Sequence, residues 1–505
     1  MSKLKIVQST FLKRVIKMLN KNERIAFYVL LAVSFIYVLP IITVNSYYSD
    51  DYMRAADGVF GLSGLGRPLA DYFFKILSFN SHQNIDTAPF TQIISIASLS
   101  LSVVYLAKSV NTTPSKVDYF VLSALIFNPF YIQNLLYRFD SITMSIGVLC
   151  AALAVYTASK KTIPYAIISI LLIMCSLSLY QPCGGIFASA VVILLVKRLI
   201  DGNIENPFKE ILIYGAIFVL SYILYMTIVV PAYSSDPTRS SLIPFDSNFF
   251  PRIVHNVEVL TKKVASFSPW EGLSSILAMV VVYGLLMANV TIKSNRRLTT
   301  FIIALISLPV AYLLIGGVII IINESIFFPR TLVCFGLFVS LLIYPTVTFK
   351  GRAGIAIPVT ISTAFAILSF ISISVTMNAI KSQIEYEKFI TSMIASDVTK
   401  INELNNSITY LGGNKVLALN AKRPVGAFPI VDMIYNPSSD WVLSYMIGQY
   451  GINYKFQFNR AEQKKIINAV CSNSIPPVVS NEKYSIYHHL GKNIAWINGA
   501  KKICE

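Results

Sequence analysis

Eleven runs of apolar residues fill the first three quarters of the chain, at about 25–44, 89–107, 118–136, 141–158, 162–180, 183–196, 210–230, 273–292, 299–322, 331–349 and 354–377. Several are about 18 residues or longer, enough for a helix to cross a bilayer, and short polar segments separate them. The break at Gln181 is the shortest of these. Beyond residue 377 the pattern changes. Ile380, Ile384, Ile390, Met393, Ile394, Val398 and Ile401 recur at helical spacing, which predicts a helix that leaves the membrane and becomes amphipathic. Gly412 and Gly413 then break the chain, and residues 415–419 read as a short strand. The tail 378–505 is long enough to hold a small core of its own. The predicted fold is an all-α polytopic membrane protein of about eleven transmembrane helices (25–377) with a small C-terminal α/β domain (378–505).

Composition agrees with the pattern. The 505 residues are 55% hydrophobic and only 13% charged, with a mean hydropathy of +0.62, well above that of a soluble globular protein. The net charge of +17 is explained by topology, and no zinc-type spacing, P-loop or dinucleotide fingerprint accompanies it, so nucleic acid is excluded as a partner. When the loops are assigned to alternate sides, nineteen Lys and Arg residues fall on the side of the N-terminus and nine on the other, the tail left aside. Positive charge stays in the cytoplasm, so the N-terminus is expected inside, with the loop after the first run and the tail outside. Residues 1–24 lack a signal-peptide pattern. Val7, Phe11, Val15, Ile16 and Met18 among basic residues suggest a helix on the anionic inner leaflet, a solvated basic tail being the plainer alternative. Of six cysteines, Cys471 and Cys504 lie in the tail, where an oxidising exterior would permit a disulfide; two free thiols are the alternative.

Candidate chemistry lies in the outer loops, 45–88, 231–272 and 323–330. The first carries Asp50 and Asp51 directly after an apolar helix, a costly place for two carboxylates unless they are used. Arg54 follows three residues after Asp51, then Gly58, Gly61, Gly64, Gly66, Arg67 and Pro68. The plainer reading is that the carboxylates cap a helix and pair with Arg54 and Arg67. Arg138 and Asp140, then Tyr180 and Gln181, then Glu324 and Arg330 mark later loops. An arginine there suits a phosphate, because its planar fork binds two oxygens; a single arginine also serves as a headgroup anchor. The prolines and Trp270 of 231–272 suit a lid or an acceptor platform.

The string Ser49-Asp50-Asp51 with Arg54, Gly58, Gly61 and Gly66-Arg67-Pro68-Leu69 resembles the bacterial and phage serotype-converting glucosyltransferases, integral membrane enzymes of the GT-C type. Asn128-Pro129-Phe130, Phe139-Asp140-Ser141, Leu179-Tyr180-Gln181 and Pro329-Arg330-Thr331 continue the resemblance in order. Leu62 departs from it, standing where a tryptophan is expected after Gly61. The resemblance implies a GT-C-like fold in the bacterial inner membrane. It implies transfer of glucose from undecaprenyl-phosphate-glucose to the O-antigen of lipopolysaccharide on the periplasmic side, with a separate synthase and flippase supplying the donor. Asp51, with Asp50 second, would be the base of an inverting displacement. Arg330, with Arg67, Arg138 and Arg54, would hold the donor phosphate, and Asp140, Tyr180 and Gln181 would hold sugar hydroxyls. A divalent metal bridging carboxylate and phosphate is compatible with this set, although no dedicated ligands stand out. The alternatives are a GT-C transferase with another sugar or a lipid A acceptor, an O-antigen polymerase, and a polysaccharide flippase.

Overall fold

A computed structural model describes residues 19–505 apart from 204–205, 236–240, 271, 324, 436, 438–439, 500–501 and 505. The proposed leaflet helix at 7–18 and Glu324 lie outside the described residues. Each of the eleven apolar runs is helical, but they are not equal. Among the described residues eight helices are long and apolar enough to cross a membrane: Lys21–Val44, Phe90–Val110, Ser141–Ala158, Gln181–Ile200, Pro207–Tyr233, Gly272–Lys293, Arg297–Ile321 and Ala353–Lys400. The other three of the eleven expected runs are a bent pair and two shorter helices. The run at 118–136 is a pair, Lys116–Leu125 and Pro129–Leu136, bent by 49°, because Pro129 has no N–H to continue the first helix. Ile163–Leu179 and Phe335–Thr348 are shorter; at 1.5 Å per residue the first reaches only about 25 Å, less than the roughly 30 Å of a hydrocarbon core. Composition alone does not distinguish a full crossing from a helix buried among others.

The core lies where Phe90–Val110, Ser141–Ala158 and Gln181–Ile200 pack together, with 67–78% of each span's apolar window buried. The peripheral helices leave wide apolar faces exposed, as expected where lipid is the solvent. At the end of the bundle where Lys21–Val44 begins, ion pairs close the surface: Lys108–Glu23 at 3.0 Å, Lys161–Glu210 at 2.6 Å and Lys197–Asp201 at 2.5 Å.

Ala353–Lys400 is a single helix of 48 residues, about 72 Å long. It passes the predicted boundary at 377/378 unbroken and carries the tail with it. Four strands make the tail's sheet: β1 (Ile408–Gly413), β2 (Val479–Ser480), β3 (Tyr484–His489) and β4 (Lys492–Ile497). Their order is β1-β4-β3-β2, with β1 parallel to β4 and the other pairs antiparallel. The strand expected at 415–419 is displaced upstream. Gly413, at φ +112°, ends β1, and the backbone that follows is satisfied by a side chain: Gln383 Nε2 donates to Val416 O at 2.9 Å and Ala418 N to Gln383 Oε1 at 2.7 Å. A disulfide joins Cys471 to Cys504, with Cα atoms 5.4 Å apart.

Candidate active site

The helix Lys21–Val44 ends at Asn45, and a short helix, Asp51–Asp57, follows. Asp51 is fully buried. Its Oδ2 accepts from the backbone N–H groups of Tyr48 at 3.1 Å and Arg138 at 2.9 Å, and Oδ1 from that of Phe139 at 3.5 Å. The carboxyl thus clamps the first loop to residues 137–139. Burial pushes its pKa up to about 8, against the pull of those amides and of Arg54. Asp50 differs. It is half-buried, accepts one long hydrogen bond from Ser49 Oγ at 3.5 Å, and lies close enough to Arg54 and Arg330 to favour their charged forms.

The four predicted arginines divide into two pairs. Arg54 is buried and ion-paired with Asp140 at 2.7 Å, and its guanidinium lies 5.7 Å from the Phe74 ring. Arg138 is paired with Asp86 at 2.8 Å and also bonded to Asn45. These two fix loops to one another. Arg67 and Arg330 form no ion pair with a carboxylate among the described residues. Arg67 Nε donates to Gln181 Oε1, and its guanidinium stacks 4.7 Å from the Tyr180 ring. Arg330 donates to Tyr137 Oη and stacks on the Tyr137 and Phe328 rings at 5.0 and 5.1 Å. Tyr180 joins the two, since its hydroxyl donates to Arg330 O at 2.9 Å. Burial lowers the Arg67 pKa, and the like charge of Arg330 adds to the effect. Two neighbouring cations, neither closed off by an ion pair, make a site for an anion.

Loop backbone is held to the same purpose. Asp71 accepts from the N–H groups of Gly61, Leu62 and Ser63 at 3.2, 3.1 and 2.7 Å, folding the glycine-rich turn that delivers Arg67. Gly66, at φ +77°, brings its carbonyl within 2.7 Å of Tyr225 Oη; a Cβ there would lie 2.9 Å from that hydroxyl. Tyr225 opens a π-helical turn, Tyr225–Val229, which offsets the helix register at this contact. Behind Arg67 and Gln181 lies a cavity of about 780 Å³ lined by Tyr222, Tyr225, Leu313, Ile319, Ile321 and other apolar residues, with Thr331 at its rim. A second apolar cleft of about 310 Å³ adjoins it through Phe218, Val310 and Leu314 and reaches Phe208 and Ile302 near the opposite end of the bundle.

A family model described as Glucosyl transferase GtrII matches residues 39–344, more than half of the chain. The chain belongs to this glucosyl transferase family. The GtrII match takes in the first loop, both unpaired arginines and the cavity walls, and stops before the long helix and the tail. A Salmonella phage P22 protein described as "Uncharacterized 55.3 kDa protein in gtrB 5'region" is 32% identical over 252 residues, 47% of this chain. The chain spans about half the length of that relative. No solved structure matches.

Within this GtrII-family chain, Leu62 is buried against Ala70, Phe74 and Phe139, so it packs the loop and faces no open site. Asp140 is committed to Arg54. Tyr180 and Gln181 position Arg67 and the 329–331 turn. Three residues of the site had no counterpart in the sequence reading: Gln133, Asn134 and Tyr137. Gln133 Oε1 accepts from Arg330 N at 2.8 Å and Asn134 Nδ2 donates to Arg330 O at 3.0 Å. Buried amides within an apolar run were the available signal. Among the described residues no three His, Cys, Asp or Glu side chains come together.

Proposed function

We propose that this chain is a membrane glucosyltransferase that moves glucose from undecaprenyl-phosphate-glucose to a hydroxyl of the O-antigen repeat of lipopolysaccharide, on the periplasmic side of the inner membrane. One observation carries the reading: Arg67 lines a large apolar cavity, Arg330 is tied to it through Tyr180, and neither guanidinium is ion-paired with a carboxylate. A phosphate between two arginines with an isoprenoid tail in the apolar space satisfies both features at once. The acceptor oxygen attacks the anomeric carbon, the bond from that carbon to the phosphate oxygen breaks, and its electron pair leaves with the lipid phosphate. Arg67 and Arg330 stabilise the charge that grows there. Asp50, half-buried and lightly bonded, takes the hydroxyl proton. Asp51, with both oxygens held by backbone amides, positions Asp50 and the loop. This ordering of the two carboxylates reverses the one expected from sequence. A single displacement inverts the donor's anomeric configuration.

The test is transfer by the purified protein from synthetic polyprenyl-phosphate-glucose to isolated O-antigen, read by mass spectrometry. A gain of one hexose is expected, and Asp50→Asn should lower its rate by about 10²–10⁴-fold, with Asp51→Asn affecting stability more than turnover. An active Asp50→Asn beside a dead Asp51→Asn would restore Asp51 as the base. Folded protein that transfers no lipid-linked sugar would defeat the enzyme reading in favour of a transporter.

A further inference from the structure

The tail carries a chain of aromatic rings that the transfer chemistry above does not use. Tyr454 and Tyr445 lie 5.5 Å apart, Tyr445 and Trp441 6.3 Å, Trp441 and Phe456 6.4 Å, and Phe456 and Phe458 5.1 Å. Trp441, Tyr445 and Tyr454 rest on the tail's apolar core yet stay half-exposed, and Phe458 is 78% exposed. Charged and amide groups border the rings: Asp440 paired with Arg460 at 2.8 Å, with Lys455 and Gln457 beside them.

Two observations say what this strip is for. First, it touches the active loop, because Tyr445 Oη donates to Asp57 Oδ2 at 2.8 Å. Asp57 closes the seven-residue helix that starts at Asp51, so the strip begins roughly 10 Å of helix from the carboxylates. Second, it stands clear of the hydrocarbon. The next residue beyond the helix Asp440–Gly448 but one, Tyr450, donates to Lys388 O at 3.2 Å, and Lys388 lies about 10 Å along the long helix beyond Lys381, the first charged residue after its apolar run. The segment that carries the strip therefore meets the long helix past the end of its apolar run.

We propose that this strip is a binding track for the polysaccharide acceptor, holding sugar units next to the one being modified. The carbon faces of pyranose rings stack on aromatic faces while their hydroxyls reach the polar border, which suits aromatics with one apolar face and a wet edge. The proposal rests on the reading that the chain glycosylates a polysaccharide.

The experiment compares two acceptors in detergent, lipid-free O-polysaccharide and one isolated repeat unit, with wild type, Phe458→Ala and Phe458→Trp. Phe458→Ala should raise KM for the polymer about tenfold with kcat unchanged, leave the single repeat unaffected, and be rescued by Phe458→Trp. Equal KM values for the polymer in wild type and Phe458→Ala would overturn the track. A parallel titration of the polymer into full-length protein, followed by the fluorescence that Trp441→Phe removes, reads binding without turnover; no change in wild type would overturn it as well. Should the polymer bind while no sugar is transferred, the track stands and the transferase reading falls. Loss of association with anionic lipid vesicles in Phe458→Ala, without loss of polymer binding, would make the strip a membrane contact instead.

Discussion

At the end of the bundle where the first helix begins, Lys108, Lys161, Lys197 and Arg198 each reach a carboxylate, Glu23, Glu210 or Asp201. At the other end Arg54 and Arg138 are matched in the same way by Asp140 and Asp86, but Arg67 and Arg330 are held by tyrosine rings, a phenol and an amide. The first end carries more arginine and lysine, nineteen against nine, but that count does not say which of them can hold an anion. What separates them is whether the protein supplies the counter-charge. A guanidinium stacked on a ring and bonded to neutral oxygens is fixed in place with no carboxylate in direct contact, which leaves its fork open to a phosphate.

Removing the unpaired arginines should have the largest effect. Arg330→Ala, and separately Arg67→Ala, are expected to lower kcat by about 10²–10³-fold, with the protein still extracted as a folded monodisperse species. Wild-type turnover in Arg330→Ala would reduce that residue to a headgroup anchor and erase the contrast. The matched pairs should behave otherwise. Asp140→Asn leaves Arg54 buried without its partner and should destabilise the fold by about 3–5 kcal/mol, seen as an earlier thermal transition in detergent. Lys161→Ala at the opposite end, where Lys161 is 47% exposed and Glu210 keeps Arg198 as a partner, should cost about 1 kcal/mol or less and leave transfer unchanged. Similar losses in both would mean that the two ends do not differ.

A separate effect concerns pH. The Asp51 carboxyl is pushed from its ordinary 3.8 up to about 8 by burial. Between these values the folded state keeps a proton that the unfolded state releases, so stability should fall as pH rises across that window. The cost of ionising Asp51 is absent below about pH 4 and complete above about pH 8. Asp51→Asn should flatten that slope in thermal melts taken from pH 5 to 8. An unchanged slope would show that Asp51 stays ionised in its cradle of amides.

Much of this was legible in the residues. The apolar runs, the asymmetry of Lys and Arg and the two carboxylates after the first run depend only on local composition, because a bilayer forces backbone groups into helices wherever the side chains are apolar. Asp50, Arg67 and Arg330 could be picked out because a charged residue beside such a run is conspicuous. Gln133 and Asn134 escaped because formal charge marked out the candidates and these amides carry none, yet they hold the Arg330 turn. The strand at 415–419 was misplaced because Gln383, some thirty residues upstream, satisfies that backbone.

Residue types along the chain are enough to establish a helical membrane protein with polar, carboxylate-bearing loops and a more polar tail. Tertiary structure alone decided which arginines are neutralised, which carboxylate is sealed in backbone amides, and that the aromatic rings of 441–458 meet the first loop through Tyr445 and Asp57. The reason is physical. Transfer of apolar surface into lipid adds up residue by residue along the chain, whereas the state of a charge depends on which group lies within a few ångströms, and those groups come from segments far apart in the chain.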